Sequence, residues 1–168
     1  MTRDRRRAGD PPTKQVGIAE YAAVTDDTQL STSGVGSCLG IVLRDALSDV
    51  SGLIHVMLPT AAKSRDGTPA KFVDTGVPLL IEEMVEAGAS KHRLEGWVVG
   101  GSEMLSFSMD GDSIGSRNIA AAKQAFEQYG IDVAGTDVGG SHGRSIRFEP
   151  ARESVVIQTA ENNTTQTI

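Results

Sequence analysis

Ser33-Gly34-Val35-Gly36-Ser37-Cys38-Leu39-Gly40 contains the only cysteine in a chain of 168 residues. Three of its eight residues are glycine, and small residues precede the sulfur. Glycine lets another backbone or a substrate come close to a neighbouring side chain. An apolar run with one polar interruption follows, Leu53-Ile54-His55-Val56-Met57-Leu58-Pro59. We therefore consider Cys38 as a nucleophile and His55 as its base.

Two β-like runs, residues 39–44 and 52–58, flank a segment with turn chemistry at both ends. This pattern predicts a β-hairpin. If the hairpin loop is residues 45–48, Cys38 lies directly opposite His55, with Cβ atoms about 4.5–5.5 Å apart. That distance suits a thiolate–imidazolium pair. A shift of one residue would put the two side chains on opposite faces of the sheet.

The rest of the chain alternates between strand-like and helical patterns. We expect helices over residues 72–87 and 116–129, the first with its main part beginning near residues 75–77, because Pro78 is tolerated only in a first turn. The predicted strands are residues 15–24, 29–32, 39–44, 52–58, 94–99, 131–138, 145–148 and 155–157. Strands outnumber helices and run partly in hairpins. This predicts an α+β fold, a mixed and largely antiparallel sheet with two principal helices packed on it.

Length and charge restrict the class of protein. A chain of this length that is 39% apolar is most simply one domain. Its net charge of −6 argues against a general binder of nucleic acids or anionic membranes. One cysteine excludes an internal disulfide and a cysteine-built zinc site, and the three histidines show no metal-binding spacing, so we assign no metal and no cofactor. No apolar run approaches the roughly 18 residues of a membrane span, and the N-terminus lacks the apolar region of a secretory signal. We therefore expect a cytoplasmic protein without membrane insertion and with a reduced thiol.

The two ends differ from the middle in composition. Residues 1–14 are polar and basic, which indicates a disordered basic arm. Residues 158–168 are rich in Thr, Asn and Gln, which indicates a loose polar tail. Residues 15–157 are expected to form the single ordered domain.

Each candidate residue also has a purely structural explanation. A lone cysteine is most often a small hydrophobic residue, and a histidine in an apolar strand is often a hydrogen-bonded core residue. Asn118 either orients a backbone loop or stabilises a turn or helix start. Of the other histidines, we expect His92 to be exposed and His142 to line a cleft. Residues 139–144 could cradle an anion but match no nucleotide-binding fingerprint. The residues alone indicate a candidate cysteine–histidine hydrolase or acyl-transfer site.

Seven short motifs follow one another along the chain: Gly36-Ser37-Cys38-Leu39-Gly40, His55-Val56-Met57-Leu58-Pro59, Ala70-Lys71-Phe72-Val73-Asp74, Gly100-Gly101, Ile114-Gly115-Ser116-Arg117-Asn118, Asp137-Val138-Gly139-Gly140 and Gly143-Arg144. In this order they resemble CheD, the family of chemoreceptor glutamine deamidases of bacterial and archaeal chemotaxis. The resemblance runs from about residue 16 to residue 157.

The resemblance implies a three-layer α/β sandwich related to deamidating bacterial toxins, with a Cys-His-Thr site. The family's cysteine and histidine carry over to Cys38 and His55. Its threonine lies six residues before the cysteine, a position that Thr32 occupies here. The further candidates for binding the substrate or its oxyanion are Gly36, Ser37, Asn118 and Gly140.

The resemblance also implies an activity and partners. The enzyme would deamidate glutamines of chemoreceptor cytoplasmic helices to glutamate through a thioester on Cys38, and a CheC-type phosphatase would regulate it. A second hypothesis is an adaptor that docks on such a phosphatase, with catalysis secondary or lost. A third is a thiol protease or transferase with the same pair of residues. A pure adaptor needs none of Thr32, Cys38 and His55, so their joint presence favours the enzyme.

Overall fold

Within residues 9–61, 67–103, 113–161 and 163–168, which the structure describes, the computed structural model has ten strands and two α-helices. In chain order they are β1 (Thr13–Gln15), β2 (Tyr21–Thr25), β3 (Gln29–Val35), β4 (Leu39–Asp45), β5 (Val50–Val56), α1 (Val73–Glu86), β6 (Glu95–Gly100), α2 (Ile114–Tyr129), β7 (Asp132–Val138), β8 (Arg144–Glu149), β9 (Ser154–Thr159) and β10 (Thr165–Thr167). Short 3-10 helices occupy Pro69–Lys71 and Pro150–Arg152. Most of the expected N-terminal arm lies outside the described residues.

The strands form two five-stranded sheets. Sheet A has the order β1-β3-β8-β9-β10, and sheet B has the order β2-β5-β4-β6-β7. The β1–β3 and β6–β7 pairs are parallel, and the other pairs are antiparallel. The helices pack on one face of sheet B, and sheet A covers the other. The predicted α+β fold with two principal helices is confirmed, although the strands divide between two sheets instead of sharing one.

Strands β4 and β5 lie in the middle layer and are buried along their whole length. Ile41 and Ile54 pack in the cluster that contains the helices, whereas Val42 and Leu53 pack in the cluster that contains sheet A. Successive side chains of a strand point to opposite faces, so a strand covered on both faces must be apolar at every position. This explains the continuous apolar runs in the sequence.

The hairpin that joins β4 to β5 turns at residues 46–49, and Asp45 is the last residue of β4. The predicted loop began at Asp45, so the predicted register is wrong. Gly40, not Cys38, lies directly opposite His55. Cys38 lies one residue before β4 and two residues along the chain from Gly40, so it is displaced from the predicted position by two.

Buried contacts hold Asp45 in the strand. Its side chain accepts hydrogen bonds from the backbone N–H groups of Leu47 at 3.2 Å and Ser90 at 2.8 Å. The Arg93 guanidinium adds an ion pair at 2.9 Å. Burial alone would raise the pKa of Asp45, but the Arg93 guanidinium and the Ser90 N–H hold it well below its usual range. Asp45 is therefore an anchored strand residue and not the loop residue that its turn chemistry suggests.

The predicted strand over residues 15–24 is also wrong, because it is two strands in different sheets. A turn separates β1 from β2: the Glu20 carboxylate accepts a hydrogen bond from the Gly17 N–H at 3.1 Å, and Ala19 has φ of 59°. The turn carries the chain from sheet A to sheet B. Strand β1 begins at Thr13, inside the expected N-terminal arm.

Helix α1 begins at Val73, earlier than Pro78 suggested, and the proline lies inside it. The segment after β5 explains the difference. The N–H of Val73 donates to the Leu58 carbonyl at 2.9 Å, and the N–H of Asp74 donates to the Pro59 carbonyl at 3.2 Å. These bonds satisfy free N–H groups of the first turn, so the helix starts before the proline.

Among the described helices, neither is long and apolar enough to cross a membrane.

Residues 158–168 differ from the loose tail that their composition suggested. Strand β9 continues to Thr159, and β10 pairs with it in antiparallel fashion. Ile168 exchanges two backbone hydrogen bonds of 2.9 Å with Val155, and its side chain packs against the cluster between the sheets. Backbone pairing stabilises this polar strand at the edge of sheet A, where its β-branched threonines suit an extended backbone.

We predict that Asp45→Asn lowers the free energy of unfolding by about 2 kcal/mol at pH 7, measured by urea unfolding, because the variant loses charge-assisted hydrogen bonds. The pKa of Asp45 is lower in the folded state than its unfolded value of about 3.9. Its contribution is therefore present above about pH 4 and is lost as the pH falls through the folded-state pKa. The difference between the free energies of unfolding of the two proteins should narrow below pH 4.

The control, Asp27→Asn in an exposed turn, should change the free energy of unfolding by less than about 0.5 kcal/mol. Equal stability of wild type and Asp45→Asn at pH 7 would contradict the anchoring role.

Candidate active site

His55 lies in the middle layer, with its side chain directed between the two sheets. The residue is fully buried, and its Nδ1 atom lies 2.8 Å from the Thr32 Oγ1 atom. Thr32 belongs to β3 of sheet A and His55 to β5 of sheet B, so this contact joins the sheets. Thr32 thus supplies the polar partner that a histidine in an apolar strand requires. The sequence-derived pair of Thr32 and His55 comes together in the fold.

Gly40 makes the close approach of the sheets possible. It lies opposite His55 on β4. A Cβ atom at this position would overlap the end of the Ile146 side chain and lie 3.7 Å from the Thr32 side chain. Any larger residue would therefore require the Ile146 side chain to move, beside the hydrogen bond. Glycine here leaves room for side chains of sheet A and does not serve a turn.

A β-bulge follows Thr32 in β3. The pairing of β3 with β8 changes register between Thr32 and Val35, and Gly34 has φ of 70°. A bulge of this kind bends its strand and frees the inserted residues from the ladder. Ser33 and Gly34 are exposed, while Thr32 and Val35 are buried. The bulge therefore interrupts the pairing within β3, which resumes at the buried Val35 before the segment that carries Cys38.

The backbone of His55 is held from its other side by the turn between β1 and β2. The His55 N–H donates to the Glu20 carbonyl at 3.1 Å, and the His55 carbonyl accepts from the Ala19 N–H at 2.8 Å. These bonds continue the pairing of β5 with β2 up to the histidine. The turn that the sequence pattern missed thus fixes the position of the imidazole.

Residues 36–38, which we call the cysteine loop, connect β3 to β4. Each of its three consecutive carbonyl groups accepts a hydrogen bond from the protein body. The donors are the Ser102 N–H to Gly36 at 3.0 Å, the Asn118 Nδ2 to Ser37 at 2.8 Å and the Gly101 N–H to Cys38 at 2.8 Å. The loop keeps its outer side open, because Ser37 is exposed and Cys38 is half-buried.

Burial favours the neutral forms of both Cys38 and His55 in the free protein. Burial raises the pKa of the Cys38 thiol, although the Cys38 backbone N–H opposes the shift. Burial also lowers the pKa of His55. Both directions favour a neutral thiol beside a neutral imidazole over the expected thiolate–imidazolium pair. The Nε2 atom of His55 has no hydrogen-bond partner within the described part of the chain. It is therefore free to accept a proton.

Gly140 lies in a neighbouring loop. Its carbonyl accepts a hydrogen bond from the Glu103 N–H at 2.8 Å. The Arg144 Nε atom pairs with the Asp137 carboxylate at 3.0 Å, and its Nη2 atom donates to the Gly139 carbonyl at 2.9 Å. Residues 139–144 were expected to cradle an anion, but the Arg144 guanidinium in this segment is already paired with the Asp137 carboxylate. These contacts tie the loop to the segment that also holds the cysteine loop.

The remaining histidines lie apart from this arrangement. His92 is exposed, as expected, and His142 is half-buried in the loop of Gly140. In the described ranges, no group of three or more His, Cys, Asp or Glu side chains could hold a metal ion.

Sequence reasoning missed three parts of the site. They are the turn at residues 17–20, the sheet contact at Gly40, and the two N–H donors of residues 101–102. The Gly-Gly-Ser sequence after β6 was a visible signal, because glycines after a strand often mark a close backbone approach. Nothing in the local pattern of residues 17–20 indicated a contact with His55.

Comparison with known proteins gives consistent matches. Residues 57–159 match the family model described as CheD chemotactic sensory transduction. The chain is 46% identical over 153 residues to the probable chemoreceptor glutamine deamidase CheD of Haloarcula marismortui, covering 91% of this chain and 88% of that protein. It is 38% identical over 155 residues to the chemoreceptor glutamine deamidase CheD of Bacillus licheniformis, covering 90% and 92%. The crystal structure of a Neisseria meningitidis protein superposes with a TM-score of 0.48 at 11% identity, covering 78% of this chain and 63% of that chain.

We predict that iodoacetamide labels the thiol slowly at pH 7 and that the labelling rate is still rising above pH 8.5, the ordinary pKa of cysteine. Cys38 is the only cysteine, so labelling reports this site alone. The same chain unfolded in urea provides the matched reference and should reach its half-maximal rate at a lower pH. A rapid rate that stays constant between pH 6 and pH 8 would instead show a stable thiolate–imidazolium pair.

Proposed function

Because the chain belongs to the CheD family, we propose that it deamidates glutamine side chains of chemoreceptors, with Cys38 as nucleophile, His55 as general base and acid, and Thr32 as the group that orients the histidine. One observation carries the assignment of residues. The 2.8 Å contact between Thr32 Oγ1 and His55 Nδ1 fixes the imidazole and leaves Nε2 without a hydrogen-bond partner among the described residues.

The tautomer of His55 follows from this role. If Nδ1 carries the proton and donates to the Thr32 hydroxyl oxygen, Nε2 has a free lone pair. Burial keeps the imidazole neutral, as a base must be before it accepts a proton. Thr32 thus acts as the third member of other triads does, by holding the ring in one orientation.

In the first step the thiol proton of Cys38 moves to Nε2 of His55 while the sulfur forms a bond to the carboxamide carbon of the glutamine. The electron pair of the carbonyl group moves to its oxygen. Because the peptide bond is planar and trans, each N–H points opposite to the carbonyl of the preceding residue. The carbonyls of Gly36 and Ser37 point into the protein, so the N–H groups of Ser37 and Cys38 point outwards, where they can stabilise the oxyanion.

In the second step His55 returns the proton to the amide nitrogen, the carbon–nitrogen bond breaks, and ammonia leaves a thioester on Cys38. Water then attacks the thioester carbon and gives a proton to Nε2. The carbon–sulfur bond breaks, the sulfur of Cys38 recovers the proton, and glutamate is released. Ammonia takes up the proton of the new carboxyl group, so the net reaction converts a carboxamide and water into a carboxylate and ammonium.

We further propose, from the family resemblance, that the substrates are receptor cytoplasmic helices and that a CheC-type phosphatase binds and regulates the enzyme. A cytoplasmic location would follow from such a substrate. A docking module without catalysis is less well supported, because it would need neither a buried hydrogen bond to His55 nor a held cysteine loop.

We predict that the wild-type chain, incubated with a receptor cytoplasmic fragment, produces an amide-to-acid mass shift at specific glutamines, detected by mass spectrometry. Cys38→Ala and His55→Ala should abolish it, because one lacks the nucleophile and the other the proton carrier. His92→Ala, which changes an exposed histidine, is the matched control and should retain full activity. An unchanged mass shift with Cys38→Ala would disprove the proposed chemistry.

We also predict that Thr32→Val lowers kcat by about 10- to 100-fold, as does loss of other groups that orient a functional histidine. Valine matches threonine in shape but lacks the hydroxyl. Thr32→Ser is the matched control, because it keeps the hydroxyl and should retain most of the activity. Equal kcat values for the valine and serine variants would rule out an orienting role of the hydroxyl.

A further inference from the structure

Asn118 joins the two segments that carry the proposed nucleophile and base. It lies on α2 and is fully buried. Its Nδ2 atom donates one hydrogen bond to the Ser37 carbonyl at 2.8 Å and another to the Met57 carbonyl at 3.0 Å. Ser37 directly precedes Cys38, and Met57 follows His55 by two residues. One amide group therefore bridges the cysteine loop and the end of the histidine strand.

The bridge lies where the strand ladder stops. The last backbone pair between β4 and β5 is Leu39 with Val56. Continued by one residue, this register would pair Cys38 with Met57, but the ladder does not extend so far. Beyond this point no strand pairing fixes the separation of the two segments. The two bonds from Asn118 hold them together there instead.

A glycine sets the position of α2 for this contact. Ser113 caps the helix by accepting a hydrogen bond from the Ser116 N–H at 3.1 Å. Two residues into the helix, a Cβ atom on Gly115 would overlap the backbone of Gly101. The first turn of α2 therefore packs directly on the segment that holds the cysteine loop. This close approach brings Asn118 within reach of both carbonyl groups.

Resting on the proposed function, we infer that Asn118 is a positioning residue that sets the separation of Cys38 and His55. Both hydrogens of its amide nitrogen are used in the bridge, so they are not available to an oxyanion. Its Oδ1 atom is buried without a partner within the described residues, which costs free energy. A side chain selected only for stability would avoid this cost. A nitrogen with two hydrogens is what the two carbonyl groups require.

The test compares Asn118→Asp with the wild-type chain. Aspartate has the same shape, but its carboxylate cannot donate to either carbonyl group. Asn118→Ser is the second variant, because its short side chain leaves the bridge open without adding a charge. Ala125→Gly is the matched control: it weakens α2 at a buried position, while the bridge stays intact. The measurements are kcat and KM on a receptor fragment, the rate of Cys38 labelling by iodoacetamide at pH 7, and urea unfolding.

We expect kcat of both Asn118 variants to fall by about 100-fold, with KM changed much less, because misplacement of reacting groups acts on the chemical step. Labelling at pH 7 should become faster, because a released loop exposes the thiol and moves its pKa towards the ordinary value. Ala125→Gly controls for a general loss of helix stability and should show neither change.

Two results would overturn the positioning role. One is a fall in kcat no larger than that of Ala125→Gly, and the other is a labelling rate equal to that of the wild-type chain. If the wild-type chain deamidates no receptor fragment, the proposed function fails. The labelling comparison still tests the bridge in that case, because it requires no substrate.

Discussion

A single hydrogen bond across the space between two sheets is the contact on which the site depends. The Thr32 hydroxyl and the His55 imidazole meet at 2.8 Å between the two sheets, both of them buried. A buried imidazole without this partner would be costly, and the bond forms only if the sheets come close. Gly40 leaves room for the Ile146 and Thr32 side chains of sheet A, and a bulge at Gly34 follows the threonine within β3. The fold thus accommodates this polar contact by pairing its two members with each other.

Cys38, the proposed nucleophile, lies in a loop outside the strand ladder. Its three carbonyl groups are held by two backbone N–H groups and the Asn118 side chain, which leaves the thiol half-buried. Burial acts on both reacting groups in the direction of the neutral form. A neutral thiol is a poor nucleophile, so the free enzyme is protected from chance modification. In the proposed mechanism, proton transfer to His55 therefore accompanies attack on a bound glutamine instead of preceding it.

The spacing of apolar residues was sufficient to predict both helices and the central strands, because each of these elements repeats its buried positions within a short stretch of sequence. The hairpin register was not predictable in the same way. Asp45 is a residue type that is common in turns. It lies in a strand because its carboxylate contacts Ser90 and Arg93, which lie far along the chain. Short-range patterns also gave Cys38 and His55 as a pair. The contacts that hold this pair, from residues 17–20, 101–102 and 118, depend on how the layers stack, which no local pattern encodes.

The protonation of His55 is the most direct test of this view of the site. Nitrogen-15 NMR of the imidazole in the free chain at pH 7 distinguishes the protonated nitrogen from the bare one. We expect a neutral ring with the proton on Nδ1, donated to the Thr32 hydroxyl, and a bare Nε2. An imidazolium, or a neutral ring with the proton on Nε2, would contradict the arrangement in which Thr32 orients the base towards Cys38.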